Sequence, residues 1–296
     1  MLAALALPIV HHRSPDFRPT YQEVLERLKE VYRTSNEVLL YTASGTAGLE
    51  SVVANLTSPG DRVVAVSAGY FGERWAEIAT AYGCEVEHLA YEWGLDSVVS
   101  GSQKALMSPP GLMMVSASDA AWKARGGAAA PRFYLDWERT REAQKSLDAA
   151  FTPAVSIVVG LNVALGLILE RGLEAAFDEH VRLGRACREG VKAMGLELFS
   201  PDDDSSAVVT TVRVPDSVDG SRLLLDLRDR FGITLAPGQG PLKGKVFRVG
   251  HLGYYDVFDI TTALAGIELA LAEAGADIER GVAVTRALET YEHQPA

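Results

Sequence analysis

Between Tyr21 and Thr34, apolar residues return every three or four positions (Val24, Leu25, Leu28, Val31) with charges between them. That is the period of an amphipathic helix. The rhythm then changes. Glu37–Tyr41 is an apolar run of strand length, Ala43–Gly48 is a stretch of small residues, and helical spacing resumes over Leu49–Leu56. Pro59-Gly60-Asp61 predicts a turn, Arg62–Ser67 a strand, Ala68–Gly72 a loop, Glu73–Tyr82 a helix and Cys84–Tyr91 a strand. Strands alternating with helices predict an α/β domain with a mostly parallel sheet.

Leu95–Val99 is one more short apolar run, and it leads into Ser100–Met107. Further on, Val155–Leu169 and Leu173–Met194 read as long helices that break near Arg171-Gly172. Alternation returns with a strand over Ala207–Val214, a helix over Ser221–Phe231, a strand over Val246–Val249 and a helix over Phe258–Ala274. The expected organisation is a large α/β domain over residues 1–170 and a smaller C-terminal α/β domain over residues 171–296. Val155–Leu169 is too short to cross a bilayer and reads as a buried helix. The apolar opening Met1–Val10 lacks the basic start and the cleavage site of a secretory signal.

With 296 residues, 48% of them hydrophobic, the chain can bury a large core. A net charge of −11, spread along the chain, argues against a nucleic-acid or membrane-surface partner. Cys84 and Cys187 have no metal-ligand spacing; free buried thiols in a reducing cytoplasm are expected. The run Asp202-Asp203-Asp204 reads as a solvated loop.

Four stretches carry chemistry. Ser44-Gly45-Thr46 lies between a strand and a helix, where small residues let a backbone approach an anion and the helix start supplies free N–H groups. A plain N-cap explains the same residues. Gly69–Trp75 places Phe71 between glycines, suited either to stacking on a planar ring or to a core position. Gln103-Lys104 closes an apolar run, and burial of a lysine there would favour a neutral, nucleophilic amine; a surface lysine is the alternative. Arg248, inside the strand Val246–Val249, must meet an anion or an internal carboxylate, and its planar fork suits a substrate carboxylate. His251, just beyond, reads as structural.

Taken in this order, the motifs resemble class V of the fold-type I pyridoxal-phosphate enzymes, and most closely the alanine–glyoxylate and serine–pyruvate aminotransferases. Ser100–Leu106 followed by Pro109-Pro110-Gly111 carries most of the resemblance, with Phe247–Gly253, His11–Pro15 and Phe151–Val155 beside it. The resemblance implies pyridoxal 5'-phosphate as cofactor and transamination between a small amino acid and a 2-oxo acid such as glyoxylate or pyruvate. It gives Lys104 the place of the lysine that holds the cofactor as an aldimine and then shuttles the substrate α-proton. It gives Ser44, Gly45, Thr46 and Gln103 the phosphate, Phe71 the ring face, and Arg248 the substrate α-carboxylate. Thr152 matches a residue that reaches the phosphate of a partner subunit, so a homodimer is implied.

The chain also departs from the family pattern. Relatives carry a Pro-Gly-Pro-Thr segment, which this chain would need ahead of Met1. They also carry several dozen residues where Gly94 here meets Leu95, including a strand ending in Asp-Ala-Val-Ser whose aspartate pairs with the pyridine nitrogen. Asp96 is no substitute on the same strand, since eight extended residues to Lys104 span about 26 Å. Asp119 and Asp136 fall after the lysine, in segments not expected beneath the ring. So short a join also leaves no room for the crossover that would make Cys84–Tyr91 and Leu95–Val99 parallel neighbours. Two other readings follow: a deleted family member of impaired activity, and a fold-type I lyase or cysteine desulfurase.

Overall fold

The computed structural model describes residues 1–65, 70–88, 96–201 and 206–293, with the side chains of Tyr70, Phe71 and His88 excepted. The join at Gly94-Leu95 and the run Asp202-Asp203-Asp204 lie outside the described residues. The chain forms two compact units, Met1–Leu173 and Glu174–Ala296.

The first unit contains helices α1 (Leu2–Leu5), α2 (Phe17–Val31), α3 (Gly45–Leu56), α4 (Tyr70–Ala81), α5 (Asp119–Arg125), α6 (Trp137–Lys145) and α7 (Val155–Arg171). Its strands are β1 (Val38–Tyr41), β2 (Arg62–Ala65), β3 (Glu85–His88), β4 (Ser97–Gly101) and β5 (Met113–Ala117). β1 and β5 are buried at every residue, which explains their unbroken apolar sequence. Alternate residues serve two layers. Val38, Leu40 and Met114 pack with Tyr21, Val24 and Leu28 of α2 and with Val158, Leu161 and Leu165 of α7. Leu39, Tyr41, Met113 and Val115 point the other way, to Val52 of α3 and Trp137 of α6. The outer edge of β1 is closed by a side chain: Gln144 Nε2 donates to Val38 O (3.0 Å) and Leu40 N donates to Gln144 Oε1 (2.8 Å).

Strand directions differ from the mostly parallel sheet expected. The main sheet has the order β1-β5-β4, and β5 runs antiparallel to both neighbours. Among the described residues only β2 and β3 pair in parallel, as a separate sheet joined through α4. Chain length between partners is the reason. A helical crossover returns β3 alongside β2, whereas residues 102–112 fold into a compact turn that sends β5 straight back along β4. β3 and β4 share no described sheet. α3 and α4 also begin earlier than their apolar spacing suggests, at Gly45 and Tyr70: small residues fill the first turn of α3, and Gly72 interrupts the first turn of α4.

The second unit holds α8 (Leu173–Ala193), β6 (Val209–Arg213), α9 (Gly220–Phe231), β7 (Ala236–Pro237), β8 (Val246–Gly250), α10 (Val257–Glu273) and α11 (Ala283–Glu292). β6-β8-β7 is an antiparallel sheet. Its Val212, Phe247 and Val249 pack with Cys187, Leu227, Leu264 and Ile267 of the helices. Gly190 lets α8 approach α10, since a Cβ there would lie 2.5 Å from Leu264 Cδ1.

Candidate functional site

Tyr41, the last residue of β1, and Gly101, the last of β4, are both register partners of Met113. The two strands point the same way and end together, about 10 Å apart across β5. β1 therefore delivers Ser44-Gly45-Thr46, and β4 delivers Gln103-Lys104, to one end of one sheet.

On the β1 side, Ser44 is the N-cap of α3 but its side chain makes no cap hydrogen bond, so among the described residues no side chain accepts from the first-turn N–H groups. Beyond its chain neighbours and its own helix, no described atom lies within 4 Å of where a Cβ on Gly45 would stand. Thr46 is exposed, and its Oγ1 accepts from Arg74 Nη1 of α4 at 3.0 Å. The back of α3 rests on β4, where a Cβ on Gly48 would lie 2.3 Å from Val99 Cγ1.

On the β4 side, a residue that sequence reasoning passed over organises the turn. Ser102 is fully buried, and its Oγ donates to Pro109 O (2.6 Å) and accepts from Leu112 N (3.2 Å). Its backbone N–H donates to Leu112 O and its carbonyl accepts from Ser108 N, both at 3.0 Å. With Ser102 held at four points, Gln103 and Lys104 project outward. Both are exposed. This corrects the reading of Lys104 as a buried strand-end lysine: β4 stops at Gly101, and the turn lifts the side chain clear of the sheet. The Gln103 amide folds back over Gly101, where a Cβ would stand 2.7 Å from Gln103 Oε1.

Thr152 is exposed in the segment that enters α7. Thr42, just after β1, ties that segment to the same sheet end, its Oγ1 accepting from Ala154 N and its carbonyl from Tyr134 Oη, each at 2.9 Å. Phe71 lies in the first turn of α4, and its side chain is outside the described residues. Arg248 belongs to the second unit. It is half-buried in mid-β8, where its Nε and Nη2 donate to Pro237 O at 3.2 and 3.1 Å. Among the described residues no carboxylate pairs with it. His251 is fully buried and structural. Ala207 O must accept from Nδ1 (3.1 Å), so Nε2 accepts from the Thr210 hydroxyl (3.0 Å), and burial lowers its pKa to about 4.

Asp136 is occupied elsewhere. It caps α6 by accepting from Glu138 N (2.8 Å) and Arg139 N (3.2 Å), and it accepts from Arg125 Nη2 at 2.6 Å. Burial alone would raise its pKa, but the Arg125 bond and the capped N–H groups outweigh it and hold the carboxyl below its ordinary value. A depressed folded-state pKa gives stability that is complete above the ordinary carboxylate value and lost as pH falls through the folded one. Urea midpoints are therefore expected to fall as pH is lowered below about 4. In Asp136→Asn this acid-dependent loss is smaller; an identical acid limb in both proteins would contradict the assignment.

Several known proteins are similar to this chain. A protein of Anabaena cylindrica named as the 42 kDa subunit of a soluble hydrogenase is 33% identical, over 93% of this chain and 90% of its own length. An uncharacterized aminotransferase of Methanocaldococcus jannaschii is 31% identical, over 97% and 93%. The chain belongs to the class V pyridoxal-phosphate aminotransferases. Serine–glyoxylate aminotransferase of Arabidopsis thaliana is 28% identical over 95% and 89%. The crystal structure of ureidoglycine–glyoxylate aminotransferase from Bacillus subtilis superposes with a TM-score of 0.92 at 27% identity, over 99% and 94%. No family model matches the chain. The first two alignments run over 346 and 360 positions against 296 residues, so these relatives carry residues that this class V chain lacks. As a member of the class it is a fold-type I, pyridoxal-phosphate-dependent transaminase, and the uncapped start of α3 beside an exposed lysine fits a phosphate and an aldehyde.

Proposed function

We propose that this chain moves an amino group from alanine or serine to glyoxylate or pyruvate, as a cytoplasmic homodimer. The observation that carries the reading is the shared register of Tyr41 and Gly101 on Met113, which brings an anion-binding helix start and a lysine to one sheet end. Relatives named for glyoxylate with serine or ureidoglycine support the substrate class. Free, buried Cys84 and Cys187 support a reducing compartment. Exposed Phe133, close to Phe151 beside Thr152, supports a subunit contact there.

Ser44, Gly45, Thr46 and Gln103 hold the phosphate, and Thr152 reaches the phosphate held by the partner. The family resemblance gives Phe71 the ring face. Lys104 would hold the cofactor through its aldehyde and would carry the substrate α-proton. When bound, pyridoxal phosphate supplies an aldehyde and a ring that withdraws electrons from the substrate Cα. The resemblance gives Arg248, whose Nε and Nη2 are held by the Pro237 carbonyl, the substrate carboxylate. Arg248→Gln is expected to raise KM for the amino donor roughly 10- to 100-fold with a smaller change in kcat. An unchanged KM removes Arg248 from the site.

The direct test is to add pyridoxal phosphate, follow absorbance near the visible edge, and then add alanine or serine. A spectrum that never changes sinks the reading. The residues present in the relatives but not here favour a second one, a family member of impaired activity; robust multiple turnover would dispose of it. A desulfurase reading is not retained, because it needs a mobile, accessible cysteine and both thiols are buried.

A further inference from the structure

Every phosphate ligand assigned above is neutral, yet a phosphate monoester near neutral pH carries almost two negative charges. The start of α3 offsets about half a charge through its dipole. Lys104 is committed to the aldehyde. The cradle therefore lacks a countercharge.

The geometry points to Arg74 as that countercharge: a phosphate-binding residue of the cofactor site, supplied by α4 rather than by the Ser44–Thr46 turn or the lysine loop. Gly69–Trp75 stands out in the sequence for Phe71 between glycines, but its arginine is the group that reaches the cradle. Trp75 anchors α4 by packing against Val53, Ala79 and Cys84. The neighbouring Arg74 then extends across to α3, where its Nη1 donates to Thr46 Oγ1 at 3.0 Å. Thr46 is the second residue of α3 and belongs to the first turn whose N–H groups face an incoming anion. A guanidinium in contact with that hydroxyl lies at most two hydrogen-bond lengths, about 6 Å, from an anion bound there. Its planar fork of donors suits phosphate oxygens. A charge placed there strengthens the hold on the phosphate without touching the reacting carbon.

The inference rests on the reading of α3 as the phosphate cradle, and the experiment separates the two. The full-length chain, freed of cofactor, is titrated with pyridoxal phosphate and, separately, with pyridoxal, which has the aldehyde but no phosphate. Arg74→Gln is expected to weaken pyridoxal phosphate roughly 10- to 100-fold and leave pyridoxal unchanged. Arg74→Lys recovers part of the loss, because charge survives without the fork. The salt dependence of pyridoxal phosphate binding flattens in Arg74→Gln. Thermal midpoints check that each variant is folded, and the Lys variant carries the test if the Gln variant is not. An unchanged affinity for pyridoxal phosphate overturns the proposal. Equal weakening of both ligands overturns it too, since Arg74 would then merely prop α3. If the unaltered protein binds pyridoxal phosphate no better than pyridoxal, the cradle itself is misplaced and Arg74 falls with it.

Discussion

Lys104→Ala is expected to abolish the absorbance that pyridoxal phosphate induces and to lower transaminase turnover by at least about 10³-fold, the upper part of the range for losing a positioned acid–base group. The loss combines two roles, since the same amine bonds the cofactor and moves the proton. Stability should scarcely move. Lys104 is exposed, and the turn that carries it is held by Ser102, whose hydroxyl and backbone bonds to Pro109, Leu112 and Ser108 involve no atom of the lysine side chain. Exposed substitutions away from such networks usually stay within about 0.5 kcal/mol. The measurements are a cofactor titration, single-turnover kinetics with alanine and serine, and a urea curve. A variant that retains the absorbance change would remove Lys104 from its role. A variant that loses the change together with its fold would mean that the turn, not the amine, was tested.

Trp137→Ala is expected to produce the opposite pattern, a stability loss of about 3–5 kcal/mol, the range for deleting a large buried aromatic. Trp137 is fully buried at the start of α6. Its Nε1 donates to Ser51 Oγ (3.3 Å), and its backbone N donates to Asn55 Oδ1 (3.2 Å). Asn55 Nδ2 in turn donates to Leu135 O at 2.6 Å. Trp122 meets the indole edge-on, with ring centroids 5.7 Å apart. Both Ser51 and Asn55 belong to α3, so the indole fastens the helix whose start forms the cradle. The substitution leaves a cavity and removes the donor to Ser51 Oγ, which keeps only its own bond to Gly48 O (2.8 Å). Trp137→Phe should recover part of the volume but not the bond to Ser51. Urea unfolding of the three proteins reads the series, and a loss under about 1 kcal/mol in the alanine variant would show that α3 is held by other contacts.

Individual residues show how far the chain could be read before folding. Val38–Tyr41 was legible as a strand because burial on both faces leaves no polar position to interrupt it. Thr46, Gln103 and Arg248 were legible because motif chemistry is local: neighbouring residues state it without knowledge of the fold. Ser102 and Thr42 were not. Each is a small hydroxyl with no distinctive spacing, and its importance comes from partners that the fold supplies, Leu112 for one and Ala154 for the other. Arg74 was passed over for the same reason, since nothing near it in sequence announces that Thr46, on another helix, receives its guanidinium.

The sequence by itself determined the kinds of element, their approximate order, the two-part α/β organisation and the family resemblance. These follow from periodicity, turn residues and contiguous motifs, which are properties of neighbouring positions. Tertiary structure alone decided that β5 runs antiparallel between β1 and β4, that their ends meet at Met113, and that Lys104 stands exposed on a turn. Strand direction depends on how far the chain must travel between partners, and exposure depends on where a strand stops. Both are settled only when distant segments pair.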